Sequence, residues 1–157
     1  MPSTKHWPKQ NSSLLWLLAA ISAVGLTDAL YLTITHYTKA LVPCNFSHGC
    51  ETVLKSQYAE IFGIPVAALG VVFYFTTLVV AIFFANHHHY HWLLSIWGLI
   101  GFISTLYLFY IQAFVLHAFC QYCLLSALTS TLTFGITTLL YFINKHKEDS
   151  AHDNNSI

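Results

Sequence analysis

Four cysteines carry most of the chemistry open to this sequence. Cys44 and Cys50 flank Asn-Phe-Ser-His-Gly, and Cys120 and Cys123 form Cys-Gln-Tyr-Cys. An even set with one CxxC points to thiol–disulfide exchange or to metal binding. Residues three apart share a helix face, so a CxxC at a helix start makes its two thiols neighbours. The unpaired N–H groups and the positive dipole end at such a start stabilise a thiolate, and can bring a cysteine from about 8.5 down to about 3.5–7.5. Cys120, the first of the pair, is therefore the better target for exchange. Cys123, one turn deeper, points toward the acyl-chain region, where a hydrophobic oxidant can reach it. Cys44 and Cys50 lie on a loop and can alternate between an outside partner and the inner pair. Two alternatives compete with this relay. One is a non-catalytic bundle whose disulfide only staples the loop. The other is a four-thiolate zinc site with His48 as a spare ligand. C-x5-C is wide for a zinc knuckle and exported thiols meet an oxidising compartment, so no metal is expected.

The elements that position these thiols must lie in a membrane. Of 157 residues, 56% are hydrophobic, 16% aromatic and 8% charged, where a soluble domain carries about 25% charged residues. Mean hydropathy is +0.60. So few charges cannot cover a water-facing surface, and lipid must cover much of the protein. With zero net charge and no arginine, there is no electrostatic footprint for nucleic acid. Spans of about 20 apolar residues are predicted at 14–36, 64–85, 92–116 and 119–144. They form an all-α bundle of four transmembrane helices, 14–144, between an N-terminal tail, 1–13, and a polar C-terminal tail, 145–157. The first span exceeds the ~7–15 residues of a signal-peptide core and lacks an A-x-A site, so it is expected to be retained.

Four helices put both termini on one side. Lys5, Lys9, Lys145 and Lys147 flank the termini, whereas the first loop holds Lys39 and Lys55. The positive-inside rule then places the termini in the cytoplasm and all four cysteines at the extracytoplasmic face. The loop at 38–62 is punctuated by Pro43 and Gly49. After Cys50, the spacing of Val53, Leu54, Tyr58 and Ile61 predicts a short amphipathic half-helix on the membrane surface. Pro65 is expected in the first turn of the second span, where its missing N–H costs nothing.

Other residues have plainer readings beside their functional ones. Asp28, the one acid inside a span, is a candidate proton route, but a hydrogen bond to a neighbouring helix is the simpler account. His36 can protonate a bound oxidant or cap the interface. Gln112 reads as a polar tie between helices. Phe102, Tyr107, Phe109 and Tyr110 line a pocket or simply pack. His87, His88, His89 and His91 read as a solvated turn, and His48 can lower the pKa of a neighbouring loop cysteine when protonated.

Two stretches, PCNFSHGCETVLKSQYAEIFGIPVAALG and YLFYIQAFVLHAFCQYCLLSA, together resemble the bacterial vitamin K epoxide reductase family. The likeness runs from YLTITH in the first span to CQYC in the fourth. The wide pair precedes the CxxC, unlike in disulfide-bond protein B, a similar four-helix quinone reductase. The resemblance implies a four-helix bundle around a quinone, ubiquinone or menaquinone, capped by the loop half-helix. It implies that Cys44 exchanges with a thioredoxin-like partner, that Cys50 attacks Cys120, and that Cys123 engages the quinone. Ser56 matches the loop serine or threonine thought to orient the cysteine loop, and Tyr58 stands where mammalian members carry a capping tryptophan. Candidates for the quinone pocket are Tyr58, Phe62 and Val66, then Tyr107, Tyr110 and Gln112, then Ala127. Val66 and Ala127 replace an asparagine and a tyrosine of the mammalian pattern, which puts vitamin K epoxide itself in doubt. No thioredoxin-like domain follows the fourth span, so a separate periplasmic protein is the expected partner, and a bacterial inner membrane the expected location.

Overall fold

The computed structural model describes residues 12–44, 49–83 and 90–153. The expectations for His48 and for His87, His88 and His89 lie outside these residues, as does the side chain of His91.

Four helices are long and apolar enough to cross a membrane: Ser13–Thr38, Val66–Phe83, Trp92–Val115 and Gln121–His146. They belong to α1 (Ser12–Thr38), α3 (Val66–Phe83), α4 (Tyr90–Tyr110) with the π-helical segment Ile111–Val115, and α5 (Gln121–Asp153). Large apolar side chains such as Trp16, Phe75 and Leu106 stand on their outer faces, as they must where lipid is the solvent. Many threonine hydroxyls inside the spans return to their own helix, as Thr33 does to the Ala29 carbonyl at 2.7 Å and Thr77 to that of Phe73 at 2.8 Å. Hydrocarbon offers them no other partner.

α1 packs against α3 and α5, and α4 packs against α5, whereas α3 and α4 touch only sparsely. The α1–α3 contact is close because Gly25 has no side chain: a Cβ there would stand 2.4 Å from the Tyr74 ring. On the other side, Phe102 of α4 stacks on Phe134 of α5 with centroids 5.0 Å apart. An apolar core of Leu15, Leu18, Ala19, Ala81, Leu94, Ile136 and Leu140 fills the end of the bundle nearer the termini. Between it and the opposite end, α5 buries Thr129, Ser130, Thr133 and Thr137 along one face.

Expected and observed boundaries differ at four places, each for a local reason. α1 ends where Lys39 turns left-handed (φ 53°) and the Ala40 N–H reaches back to the Thr35 carbonyl at 3.2 Å, a common helix terminator. The loop helix is only α2 (Cys50–Leu54) and does not extend to Ile61. It stops because the Ser56 hydroxyl and N–H both take the Val53 carbonyl, at 2.7 and 3.2 Å. The chain then forms a hairpin, β1 (Glu60–Ile61) on β2 (Ile64–Pro65), antiparallel. Its two-residue loop is Phe62-Gly63, with φ 53° and 79°, the pair of positive values that a tight hairpin turn requires. Pro65 therefore ends β2 and immediately precedes α3, rather than lying in its first turn. Finally, α5 begins at Gln121 and stays helical to Asp153, through residues expected as a polar tail.

Candidate active site

All four cysteines lie at the end of the bundle formed by the C-terminus of α1, the loop, and the N-termini of α3 and α5. Cys44 and Cys50 form a disulfide with Cα atoms 6.2 Å apart, and Cys120 and Cys123 are free thiols. With two sulfurs joined to each other, a four-thiolate zinc set is not assembled. Cys50 (1% exposed) and Cys120 (0%) are buried together with Val53 in one cluster, against which Cys44 and Cys123 pack. One sulfur of each pair is thus enclosed in the same apolar environment.

Contacts on both sides of the disulfide hold the loop against the CxxC. Before it, the Pro43 carbonyl accepts from the Tyr122 hydroxyl at 3.3 Å and from Gln121 Nε2 at 3.5 Å. Tyr122 in turn packs on Tyr31 of α1 with centroids 5.2 Å apart. At Cys50 itself, Gly49 lies directly on the turn leading to Cys120. A Cβ there would come within 2.8 Å of the Phe119 backbone.

Cys120 stands at the N-cap position of α5. Its carbonyl accepts the Leu124 N–H at 3.0 Å, and its sulfur accepts the Cys123 N–H at 3.4 Å. It occupies the place where a capping serine or aspartate oxygen usually sits. A hydrogen bond from the Cys123 thiol brings Cys120 down to about 7, against burial, which works the other way. The Cys123 N–H adds to the lowering, and the Asp28 charge opposes it. A cysteine held in this way is a good leaving thiolate near neutral pH. The backbone N–H of Cys120 is taken by Gln112 Oε1 at 3.1 Å.

Beside the cluster, a cavity of about 780 Å³ opens between α3 and α4 under the loop and hairpin, and Cys123 lines it. Of the sequence candidates, Ser56, Tyr58, Val66, Tyr107, Gln112 and Ala127 also line it. Phe62, at the hairpin tip, is 99% exposed, and Tyr110 stacks on Phe114 with centroids 5.1 Å apart; neither reaches the cavity. The wall is mainly apolar; its polar side chains include His36, Ser56 and Glu60 near the loop and Gln112, Ser126 and Ser130 from the helices. Ser130 Oγ is buried without a hydrogen-bond partner among the described residues. Such a site fits a flat, largely apolar ring carrying acceptor oxygens, as a quinone does.

His36 lines the cavity and pairs with Glu60, Nε2 to Oε1 at 3.2 Å, which ties the hairpin to the end of α1. Asp28 is buried, yet neither carboxylate oxygen has a hydrogen-bond partner among the described residues. The expected bond to a neighbouring helix is thus not made. Several contributors escaped the sequence. Tyr74 is 1% exposed, and its hydroxyl meets the Ser126 carbonyl at 2.8 Å and Thr129 Oγ1 at 2.7 Å. Trp97 lines the cavity and donates to the Phe73 carbonyl at 3.4 Å. Their only signal was an aromatic carrying a polar tip inside a span. Tyr122, inside the CxxC itself, was the more legible of the omissions.

Two cysteine pairs gathered at one end of a four-helix membrane bundle, beside an apolar cavity, agree with one further finding. The model of the Vitamin K epoxide reductase family, whose members are in general membrane thiol–disulfide oxidoreductases and quinone reductases, matches residues 16–138. The chain belongs to the Vitamin K epoxide reductase family.

Proposed function

We propose that this protein is a membrane thiol:quinone oxidoreductase that reoxidises a separate thioredoxin-like dithiol protein and so supports disulfide formation outside the cytoplasm. The observation that carries this is the enclosure of Cys50 and Cys120 in one cluster while Cys123 faces the cavity. Electrons can then pass sulfur to sulfur from the loop to the bundle interior.

The steps balance as thiol–disulfide exchange. The partner's thiolate attacks Cys44 and opens the Cys44–Cys50 disulfide; the partner leaves oxidised, and both loop cysteines are thiols. Cys50 attacks Cys120 in the inner disulfide and releases Cys123. Cys44 then attacks Cys50, which restores the loop disulfide and frees Cys120. This leaves the outer pair oxidised and the inner pair reduced, the arrangement described above. The quinone, when bound, supplies a two-electron, two-proton sink. Cys123 delivers electrons from the cavity wall, Cys120 closes on Cys123, and the inner disulfide re-forms as quinol leaves. Quinones lie well above protein dithiols in potential, and each 30 mV is worth about 1.4 kcal/mol for two electrons, so the flow runs inward.

Val66 and Ala127 offer no side-chain hydrogen bond to the cavity they line, which favours plain ubiquinone or menaquinone over vitamin K epoxide. The lysine distribution favours a bacterial inner membrane with both termini in the cytoplasm and the cysteines outside.

Purified protein in detergent, given a reduced thioredoxin-like protein and a soluble ubiquinone analogue, tests this directly. Turnover followed by quinone absorbance should be present in the wild type and lost in both Cys44→Ala and Cys123→Ala. Cys44→Ala, which keeps the inner disulfide but lacks the thiol that resolves the intermediate, should also accumulate a Cys50–Cys120 mixed disulfide. No turnover with any quinone, from protein whose four thiols are shown to be redox-competent, would leave a stapled bundle instead.

A further inference from the structure

The connection from α4 to α5 is built around one residue. The π-helical segment Ile111–Val115 adds a residue per turn and re-aims the side chains that follow, a distortion frequent at functional sites. Leu116 closes it with an N–H bond to the Ile111 carbonyl at 2.9 Å. His117 then turns left-handed (φ 48°), and the Ala118 N–H returns six residues to the Gln112 carbonyl at 3.1 Å. Two residues later, the Cys120 N–H reaches the Gln112 side chain at 3.1 Å. Gln112 thus holds both ends of the segment that presents Cys120, once through its backbone and once through its carboxamide.

The side-chain bond also orients the amide. A backbone N–H can only donate, so the atom facing it is the carboxamide oxygen, and Nε2 with its two hydrogens must lie on the other side. Gln112 is 4% exposed and lines the cavity, and among the described residues no hydrogen bond uses that nitrogen. That nitrogen is not among the fully enclosed unpaired atoms of the bundle, and the cavity that Gln112 lines is the place where a partner for it can come from.

We propose that Gln112 joins the two halves of the reaction, its oxygen fixing the backbone of Cys120 while its nitrogen donates to a carbonyl oxygen of the quinone in the cavity. This rests on the thiol:quinone function above and deepens it. Quinone occupancy then steadies the same side chain that positions the exchange cysteine. By thermodynamic reciprocity, the state of that segment feeds back on quinone affinity. Gln112 is in this sense both a substrate-binding and a positioning residue.

The test uses two readouts on the full-length protein in detergent, and neither is turnover. The first is the midpoint pH of Cys120 alkylation without quinone, in a Cys44→Ala, Cys50→Ala background with Cys123 retained. Of the groups acting on Cys120 there, the Cys123 thiol and the Asp28 charge from α1 are kept in a Gln112 variant, whereas the lowering by the Cys123 and Tyr122 N–H groups depends on the cap geometry. The second is quenching of tryptophan fluorescence by a ubiquinone analogue, with Trp97 in the cavity wall as reporter. Gln112→Leu keeps the volume and removes both polar functions. It should raise the alkylation midpoint as Cys120 loses its anchored cap geometry, and weaken quinone binding about tenfold. If Gln112→Leu does not fold, Gln112→Asn keeps the same groups one methylene short of bridging both partners and should move both readouts in the same directions.

A shift in only one readout, or in neither, overturns the coupling. If the wild type binds and reduces quinone normally while the variant matches it, only the role of Gln112 fails. A wild type that neither binds nor reduces any quinone overturns this proposal together with the function it rests on.

Discussion

Gly49 lies against the backbone of Phe119 so closely that a Cβ on the glycine would sit 2.8 Å from both the nitrogen and the oxygen of that residue. The obstacle is backbone, so a side chain cannot turn aside to make room. Gly49 immediately precedes Cys50, and Phe119 immediately precedes Cys120. The approach of the two backbones is therefore what brings the two buried sulfurs into one cluster. Gly49→Ala must lift the loop at this point. We expect electron transfer from the reduced Cys44/Cys50 pair to the inner disulfide to slow by at least tenfold, about 1.4 kcal/mol on the barrier. Acid-quenched trapping of thiols after a pulse of reduced partner measures this step. Quinone reduction from a chemically reduced inner pair should stay near wild type, and equal loss of both steps would mean that the bundle itself has been disturbed.

The ionisation of Cys120 has a signed consequence. Its pKa near 7 depends first on the Cys123 thiol donating to it. Below that value Cys120 is a thiol and exchanges slowly; above it the thiolate dominates. Alkylation of Cys120 in a form lacking the loop cysteines should therefore rise through a midpoint near 7. In Cys123→Ala the donor is gone while burial still opposes the charge, so the midpoint should move upward. Cys123→Ser keeps a hydroxyl donor and should fall between the two. A midpoint unchanged in Cys123→Ala would assign the lowering to the helix N-terminus alone.

Tyr122 connects the loop to the CxxC from the other side, through its hydroxyl on the Pro43 carbonyl at 3.3 Å. The bond is exposed to water, so its loss should cost little, roughly 0.5–1 kcal/mol. Tyr122→Phe keeps the ring against Tyr31 and removes only the tie. We expect a two- to fivefold slowing of transfer between the pairs and no change in thermal stability. Stopped-flow measurement of that step with a thioredoxin-like donor checks it, and a loss as large as that of Gly49→Ala would show that the ring, not the hydroxyl, had moved.

The spans and the two cysteine pairs are legible in the sequence because each rests on a local property. A run of apolar residues needs no partner to be recognised, and CxxC places its own thiols. What joins the pairs is not local. Gly49 reads as punctuation in a loop, yet its role is close approach to a backbone 70 positions away in the chain. Gln112 reads as a polar tie between helices, and its observed partner is a main-chain N–H, which has no sequence signature. The segment after Leu54 kept helical spacing by coincidence of Tyr58 and Ile61. The positive φ values at Phe62 and Gly63 turned it into a hairpin. Phe62 consequently stands outside the cavity, although its position in the chain suggested a place within it.

The centre of the bundle offers a last measurable expectation. Tyr74 crosses from α3 to α5, where its hydroxyl lies 2.7 Å from Thr129 Oγ1 and 2.8 Å from the Ser126 carbonyl. Thr129 can also give its proton to the Leu125 carbonyl at 3.1 Å, which leaves its oxygen free to accept from Tyr74. Tyr74→Phe removes the donor and leaves the ring packed on Gly25. Thr129→Val removes the acceptor at nearly constant volume. Each should cost about 1–2 kcal/mol, the usual range for a buried hydrogen bond that loses one side, or about 2–4 °C per kcal/mol in a chain of this size. The two losses share one contact, so the double variant should be less destabilised than their sum by about 1 kcal/mol. Thermal unfolding in detergent, followed by cysteine-reactive fluorescence, closes this cycle. Strict additivity would mean that Tyr74 spends its proton on the Ser126 carbonyl and that the α3–α5 tie runs through backbone alone.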